Sequence, residues 1–182
     1  MSVRIYTKKG DAGQTSIRGT RTRYSKCHLI LQAVGTVDEL NAYIGMIRSF
    51  DIGLHNLILE QIQDDLFVIG AELANAIEEK CDIDITFLES SIDTMSTELE
   101  PLRNFILPSG NQAMCYCHIA RTVCRRAERV VVELEDFHAT HKIDPVIMSY
   151  INRLSDYLFV LSRKLGQEMN VQETIWKKKI FE

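Results

Sequence analysis

Residues 108–137 read PSGNQAMCYCHIARTVCRRAERVVVELEDF, and the fold is decided here. Pro108 stops the chain before it, and Ser109 can cap a helix, with Gln112 three residues on to complete the box. From there to Phe137 nothing breaks a helix. Ala120, Cys124, Ala127, Val131 and Leu134 recur at helical spacing and make one apolar stripe. A helix of this length with one apolar face needs other helices to cover that face.

The flanking sequence supplies them. Downstream, Asp144-Pro145 is a cap followed by proline in the first turn, opening a helix to about Gln167. Its core face is Ile147, Ile151, Leu154, Leu158, Leu161 and Leu165. Upstream, Thr86 and Glu89 predict a helix that ends before Pro101, followed by the extended piece Asn104-Phe105-Ile106-Leu107. Another runs from about Leu54 to Glu79 on a stripe of Leu57/Ile58, Ile62, Leu66, Ile69/Gly70, Leu73 and Ile77. The first starts at Thr36 with Glu39, and buries Val37, Leu40, Ile44 and Ile47. Residues 1–34 have no helical period, though a short strand fits Val3–Tyr6. The tail after Met169 has no clear period. The expectation is an all-α fold, a five-helix antiparallel bundle with an extended N-terminal arm. It forms one unit over 1–182: arm 1–34, helical bundle 35–167, tail 168–182.

Composition narrows the function. The chain has 182 residues, is 46% hydrophobic and 25% charged, and carries a net charge of −4. That leaves no general basic field for nucleic acid, so an anion site has to be local. No apolar run approaches the roughly 18 residues of a membrane span. The N-terminus lacks the apolar stretch of a signal peptide. Five cysteines, Cys27, Cys81, Cys115, Cys117 and Cys124, form no C-x-x-C pair. An odd, unpatterned set fits a reducing cytoplasm better than a disulfide framework or a zinc site. Cys115 and Cys117 point to different helix faces and read as packing residues. Histidines 28, 55, 118, 138 and 141 lack ligand spacing, and no residue is assigned to a metal.

Two segments suit a bound anion. The arm reads Thr7-Lys8-Lys9-Gly10-Asp11-Ala12-Gly13-Gln14-Thr15-Ser16. Its glycines let backbone N–H groups approach phosphate oxygens, and hydroxyls and lysines add donors and charge. It is not a P-loop, and such segments are also common surface turns. On the long helix, Arg121, Arg125 and Glu128 fall within about 60° of one another, with Arg129 beside them. The arginines flank the core-facing seam, where guanidinium forks suit phosphate. A ladder from Arg125 to Glu128 or Arg129 and from Arg129 to Glu133 explains them equally well. On the last helix, Ser149, Asn152, Asp156 and Arg163 share a polar face that can line a site, meet solvent or meet another subunit. Asp38 falls in the first turn of the first helix, where it complements the helix dipole.

Together, in order, the blocks Ile5–Ser16, Gly35–Asn41, Phe105–Pro108, Ala120–Arg129 and Asn152–Asp156 resemble the PduO-type corrinoid adenosyltransferases. The match runs from Ile5 to about Arg163. The resemblance implies a homotrimer with active sites between subunits. It implies transfer of the 5′-deoxyadenosyl group of ATP to the cobalt of reduced cob(I)alamin, giving adenosylcobalamin and triphosphate, with Mg²⁺ accompanying ATP. By the same resemblance Thr7, Lys8, Lys9, Gly10, Thr15, Ser16 and Lys26 bind ATP. Arg125, Glu128, Arg129 and Asn152 complete that site. Asp38 pairs with Arg121 across the subunit boundary, and Phe105 lies by the corrin and helps exclude the lower axial ligand. A flavin-type reductase and an adenosylcobalamin-dependent enzyme are the partners it implies, and neither nucleic acid nor a membrane is. Two departures stand out. Leu107-Pro108-Ser109-Gly110 replaces the family's common Leu-Pro-Gly-Gly, and 20–26 is a variable stretch in which Lys26 competes with Arg21 and Arg23. A bundle that only binds or delivers the nucleotide or cofactor keeps the same residues. A ferritin-like metal bundle does not fit, since paired Glu-x-x-His motifs are absent.

Overall fold

The structure is a computed structural model. It describes residues 4–17, 22–74, 82–137 and 142–178. Val3, Gly19, Thr20, Arg21, residues 75–79 with Ile77, Cys81, His138 and His141 lie outside the described residues.

Among the described residues five helices carry the core: α1 (Leu29–Arg48), α2 (His55–Leu73), α3 (Ile85–Thr97), α4 (Gln112–Phe137) and α5 (Pro145–Glu168). α1 packs on α2 and α4, and α5 on α4 and α3. Side-chain pairing sets the directions. The Asn41 and Gln63 side-chain amides each donate to the other's backbone carbonyl, while Arg48 reaches Glu60, so α1 and α2 are antiparallel. Asn152 meets Glu128 and, towards the other end, Gly166 lies against Met114, which gives the same sense for α4 and α5. Against α5, however, α3 runs parallel: Glu89 pairs with Arg153 and Glu98 with Lys164. Alternating up-and-down connections force this, because α4 intervenes between the two in sequence.

α1 begins at Leu29, seven residues before Thr36. The His28 side chain accepts a bond from the Ile30 amide and caps it. Ile30 and Ala33 extend the buried stripe backward. Thr36 is therefore inside the helix, where its hydroxyl donates to the Gln32 carbonyl at 2.7 Å. α3 is capped by Asp84, which accepts from the Thr86 amide and hydroxyl. α4 is capped by Asn111, whose Oδ1 accepts from the Met114 amide at 3.0 Å, in place of Ser109. Asp144 caps α5 as the sequence predicts. On α2, Leu59 is buried and Leu57 is exposed, a shift of the stripe by one position.

The core contains one polar contact the sequence gives no hint of. Asp65 on α2 is buried and accepts from the Tyr150 hydroxyl at 2.7 Å and from Gln61 at 2.9 Å. Burial and the Asp65 carboxylate together push the Tyr150 phenol up. Satisfying a buried carboxylate this way ties α2 to α5 in one register.

Outside the helices, Val3–Tyr6 gives no strand over the described residues 4–6. The arm instead makes a hairpin of β1 (Gln14–Ser16) and β2 (Arg23–Ser25), with Thr15 opposite Tyr24. The tail is not free of structure either: Ile175 pairs with Ile106 in an antiparallel bridge.

Candidate active site

The arm forms a compact loop. The Gly13 amide donates to the Gly10 carbonyl at 3.1 Å, and the Lys26 amide to the Gly13 carbonyl at 2.9 Å. Arg23 donates to the Lys9 carbonyl at 2.6 Å and to the Gln14 carbonyl at 3.1 Å. Its guanidinium is thereby engaged in holding the loop. The Lys26 ammonium lies over Gly10, 3.1 Å from where a Cβ would stand. Of the three basic candidates in 20–26, Arg23 is engaged by backbone carbonyls, Lys26 lies over Gly10, and Arg21 is outside the described residues. Lys8 takes a left-handed conformation at φ 58°, a strained choice for a non-glycine residue. Thr7, Lys8, Lys9 and Ser16 are exposed, and Thr15 and Gly10 partly so. Thr7 Oγ1 accepts from the Lys9 amide at 3.4 Å.

On α4 the arginine row resolves into distinct partners. Arg126 is taken by Glu39 of α1. Glu128 accepts from Asn152 Nδ2 at 2.8 Å, so the structure brings those two predicted residues together. The alternative intrahelical ladder is not formed: among the described residues neither Arg125 nor Arg129 makes an ion pair. Both are exposed. Arg121 is half-buried, and its Nε has no hydrogen-bond partner among the described residues. Burial lowers its pKa, and the adjacent Arg125 charge adds to that. Asp38 is exposed in the middle of α1, not in its first turn. No ion pair joins it to Arg121 within the chain. Nor does a hydrogen bond or ion pair link residues 4–16 to α4.

Phe105 stands 79% exposed at the rim of a cleft of about 530 Å³ that it shares with Leu102, Arg103, Asn104, Trp176 and Lys178. Trp176 is the aromatic partner that the unperiodic tail concealed. Its only signal was that it is the sole tryptophan in the chain. Just beyond, Gly110 takes φ 121°, and a Cβ there would stand 2.5 Å from the Met114 sulfur. Glycine at that position lets the Phe105 segment turn into α4 over a packed methionine. Cys117 and Cys124 are packing residues: burial pushes the Cys117 thiol up to about 12 and raises that of Cys124 further.

An exposed arginine row, a glycine-rich basic loop and an aromatic cleft are parts that suit a nucleotide and a flat apolar group. Comparison with known proteins decides between families. The model of the cobalamin adenosyltransferase family matches residues 5–165. The chain belongs to the cobalamin adenosyltransferase family. It is 38% identical to the corrinoid adenosyltransferase of Bacillus subtilis, over 97% of this chain and 93% of that protein. It is 41% identical to the corrinoid adenosyltransferase PduO of Citrobacter freundii, over 95% of this chain but 53% of that protein. The chain thus spans about half the length of that longer relative. Among solved structures, a phenylalanine-to-alanine variant of the PduO-type ATP:corrinoid adenosyltransferase from Lactobacillus reuteri, complexed with cobalamin and ATP, superposes with a TM-score of 0.85. It is 33% identical and covers 96% of this chain and 100% of that one. The shared architecture is the five-helix bundle described above.

Proposed function

We propose that the protein is an ATP:corrinoid adenosyltransferase, transferring the 5′-deoxyadenosyl group of ATP to the cobalt of cob(I)alamin and releasing triphosphate. The observation that carries this is the division of labour on α4. Arg126 and Glu128 are engaged by Glu39 and Asn152, while Arg125 and Arg129 remain exposed without an ion pair among the described residues. Cations held on a helix and left without a carboxylate suit a polyanion. Membership of the family and the cobalamin- and ATP-bound relative support the same assignment.

In this reading the Co(I) nucleophile attacks the ribose C5′. The C5′–O bond breaks as the Co–C bond forms, and triphosphate leaves with the electron pair. Arg125 and Arg129 stabilise the charge that gathers on the leaving group. Thr7, Lys8, Lys9, Gly10, Thr15, Ser16 and Lys26 hold ATP in the arm. Thr7, Thr15 and Ser16 present hydroxyl oxygens, which suit a Mg²⁺ ion bound mainly through phosphates. That ion would neutralise part of the triphosphate charge. Phe105 supplies an apolar wall against the corrin, helping to exclude a lower axial ligand so that cobalt is reduced more easily. Holding C5′ over cobalt supplies the rest by orientation.

The half-buried Arg121, whose Nε has no partner among the described residues, motivates an Asp38 from a neighbouring subunit as its counter-charge. A homotrimer with shared sites, a cytoplasmic setting, a flavin-type reductase and an adenosylcobalamin-dependent enzyme as partners belong to the same proposal. No helix among the described residues is long and apolar enough to cross a membrane. The test is direct: reduced cobalamin, ATP and Mg²⁺ are mixed with the protein and followed by absorbance, with triphosphate assayed in parallel. A spectrum of alkylated cobalt with stoichiometric triphosphate is expected. Folded protein that gives neither product would overturn the assignment.

A further inference from the structure

Phe105 and Trp176 are 71 positions apart in sequence, yet they share one short piece of paired backbone. The Leu107 amide donates to the Thr174 carbonyl at 2.8 Å and the Trp176 amide to the Phe105 carbonyl at 2.8 Å. Ile106 opposes Ile175, and Ser109 Oγ donates to Thr174 Oγ1 at 2.9 Å. Two isolated strands this short are marginal in water and do not hold their own geometry. Something else has to fix the strap to the bundle.

Arg163 does so. It projects from α5 with its side chain only 11% exposed. Its Nε donates to Glu173 Oε1 at 2.6 Å, one residue before the strap's second strand. A terminal nitrogen donates to the Glu100 carbonyl at 2.8 Å, just ahead of the segment that leads into Phe105. One guanidinium therefore ties both ends of the strap to one helix. The planar fork suits this, since two donors leave in fixed directions. Beneath the strap Ile106, Met114, His118 and Ser162 close the space around this anchor. The pair is largely shielded, and charge-assisted bonds in that setting are stronger than surface ion pairs.

We propose that Arg163, through Glu173 and Glu100, is a positioning residue that holds Phe105 and Trp176 as one wall of the corrin half of the site. This rests on the assignment of Phe105 to the corrin. It does not involve the arm or the arginine row, so the anchor acts on corrinoid affinity and leaves ATP affinity alone.

The test uses the full chain with Glu173→Gln, and Arg163→Lys as a second variant that keeps the charge but loses the fork. Trp176 is the only tryptophan, so its emission reports the strap without regard to turnover. Circular dichroism checks that each variant is folded. Both variants are expected to shift Trp176 emission to the red and make it more open to acrylamide quenching. Corrinoid KM, and Kd for cob(II)alamin by equilibrium dialysis in the presence of ATP, should rise about tenfold for loss of a shielded charged hydrogen bond. The ATP KM should stay within about twofold of the wild type by the same scale. Unchanged Trp176 emission in both variants would overturn the proposal, as would ATP and corrinoid affinities falling together. If wild-type protein binds both ligands but forms no cobalt–carbon bond, the adenosyltransferase assignment fails. Dialysis and fluorescence then still decide whether Arg163 positions the wall.

Discussion

The N-terminal arm and the Phe105–Trp176 strap are both largely exposed and both proposed to hold ligand, yet they are held in different ways. The arm is held by bonds within itself and by Ile17 and Tyr24, which pack against the bundle core. Arg23 bonds the carbonyls of Lys9 and Gln14, the hairpin pairs Gln14 with Ser25, and Lys26 returns over Gly10. Every one of these contacts spans fewer than twenty residues. The strap is held by the bundle, through Arg163 on α5 and partners more than sixty residues away on one side. Moving the arm off the helices would uncover Ile17 and Tyr24 but break none of its internal polar contacts, whereas moving the strap breaks the Arg163 pairing. In the proposed site the nucleotide half is thus tied to the bundle by apolar packing, and the corrin half by a charged anchor.

The sharpest way to break this comparison is at the row that neither region supplies. Arg125→Ala should lower kcat by about 10²–10³, the usual cost of removing one donor to developing charge. The melting temperature should be unchanged, because the side chain is exposed. Full activity in steady-state assays would remove Arg125 from the site. Next comes a crossed pair. Lys26→Ala should raise the ATP KM about tenfold, as for a lost charged contact, and spare the corrinoid KM. Phe105→Ala should do the reverse, weakening use of the corrinoid at unchanged ATP KM. If both variants moved both constants, the two halves would not be separable. Loosening the arm without touching ligand is a finer test. Arg23→Ala, which frees two exposed carbonyls, should raise the ATP KM by a few-fold at most, since exposed hydrogen bonds are individually weak.

The two smallest effects concern stability. Tyr150→Phe leaves the buried Asp65 short of a donor and should cost about 1–3 kcal/mol in urea titration, with both KM values unchanged. A change in either constant would mean that the bundle register, and not only its stability, depends on that bond. His118 supplies a pH test under the strap. Burial lowers its pKa from the ordinary 6.5, the Arg121 charge adds to this, and Glu173 opposes it. Folded protein therefore takes up that proton later than the unfolded chain does. Stability from this group is complete above pH 6.5 and declines as pH falls below it. His118→Gln should flatten that part of the stability-against-pH curve, measured by denaturation at several pH values.

Most of the helices were legible because their signals are local. The α4 stripe and the Asp144-Pro145 cap each sit within a few residues of what they specify. The start of α1 was misplaced for the same reason. Gly35-Thr36 looks like a boundary, but Ile30 and Ala33 continue the buried face through it, and packing against α4 outweighs one glycine. Ser109 and Thr86 offered hydroxyls that resemble caps. Asn111 and Asp84 took those roles because they stand immediately before α4 and α3, where their side chains meet the first free amides.

What the sequence by itself determined is the helical bundle, the membership that ordered motifs confer, and the residue types proposed to face an anion. These follow from periodicity and from short-range spacing, which a chain carries wherever it folds. Only the tertiary structure decided which arginines stay uncommitted, since Glu39 and Asn152 reach α4 from other helices. It alone set α3 parallel to α5, placed Asp65 against Tyr150, and put Trp176 beside Phe105. Each of those joins residues 24 or more positions apart. No local pattern encodes such a pairing; it is fixed only when buried area and satisfied polar groups are settled for the whole molecule at once.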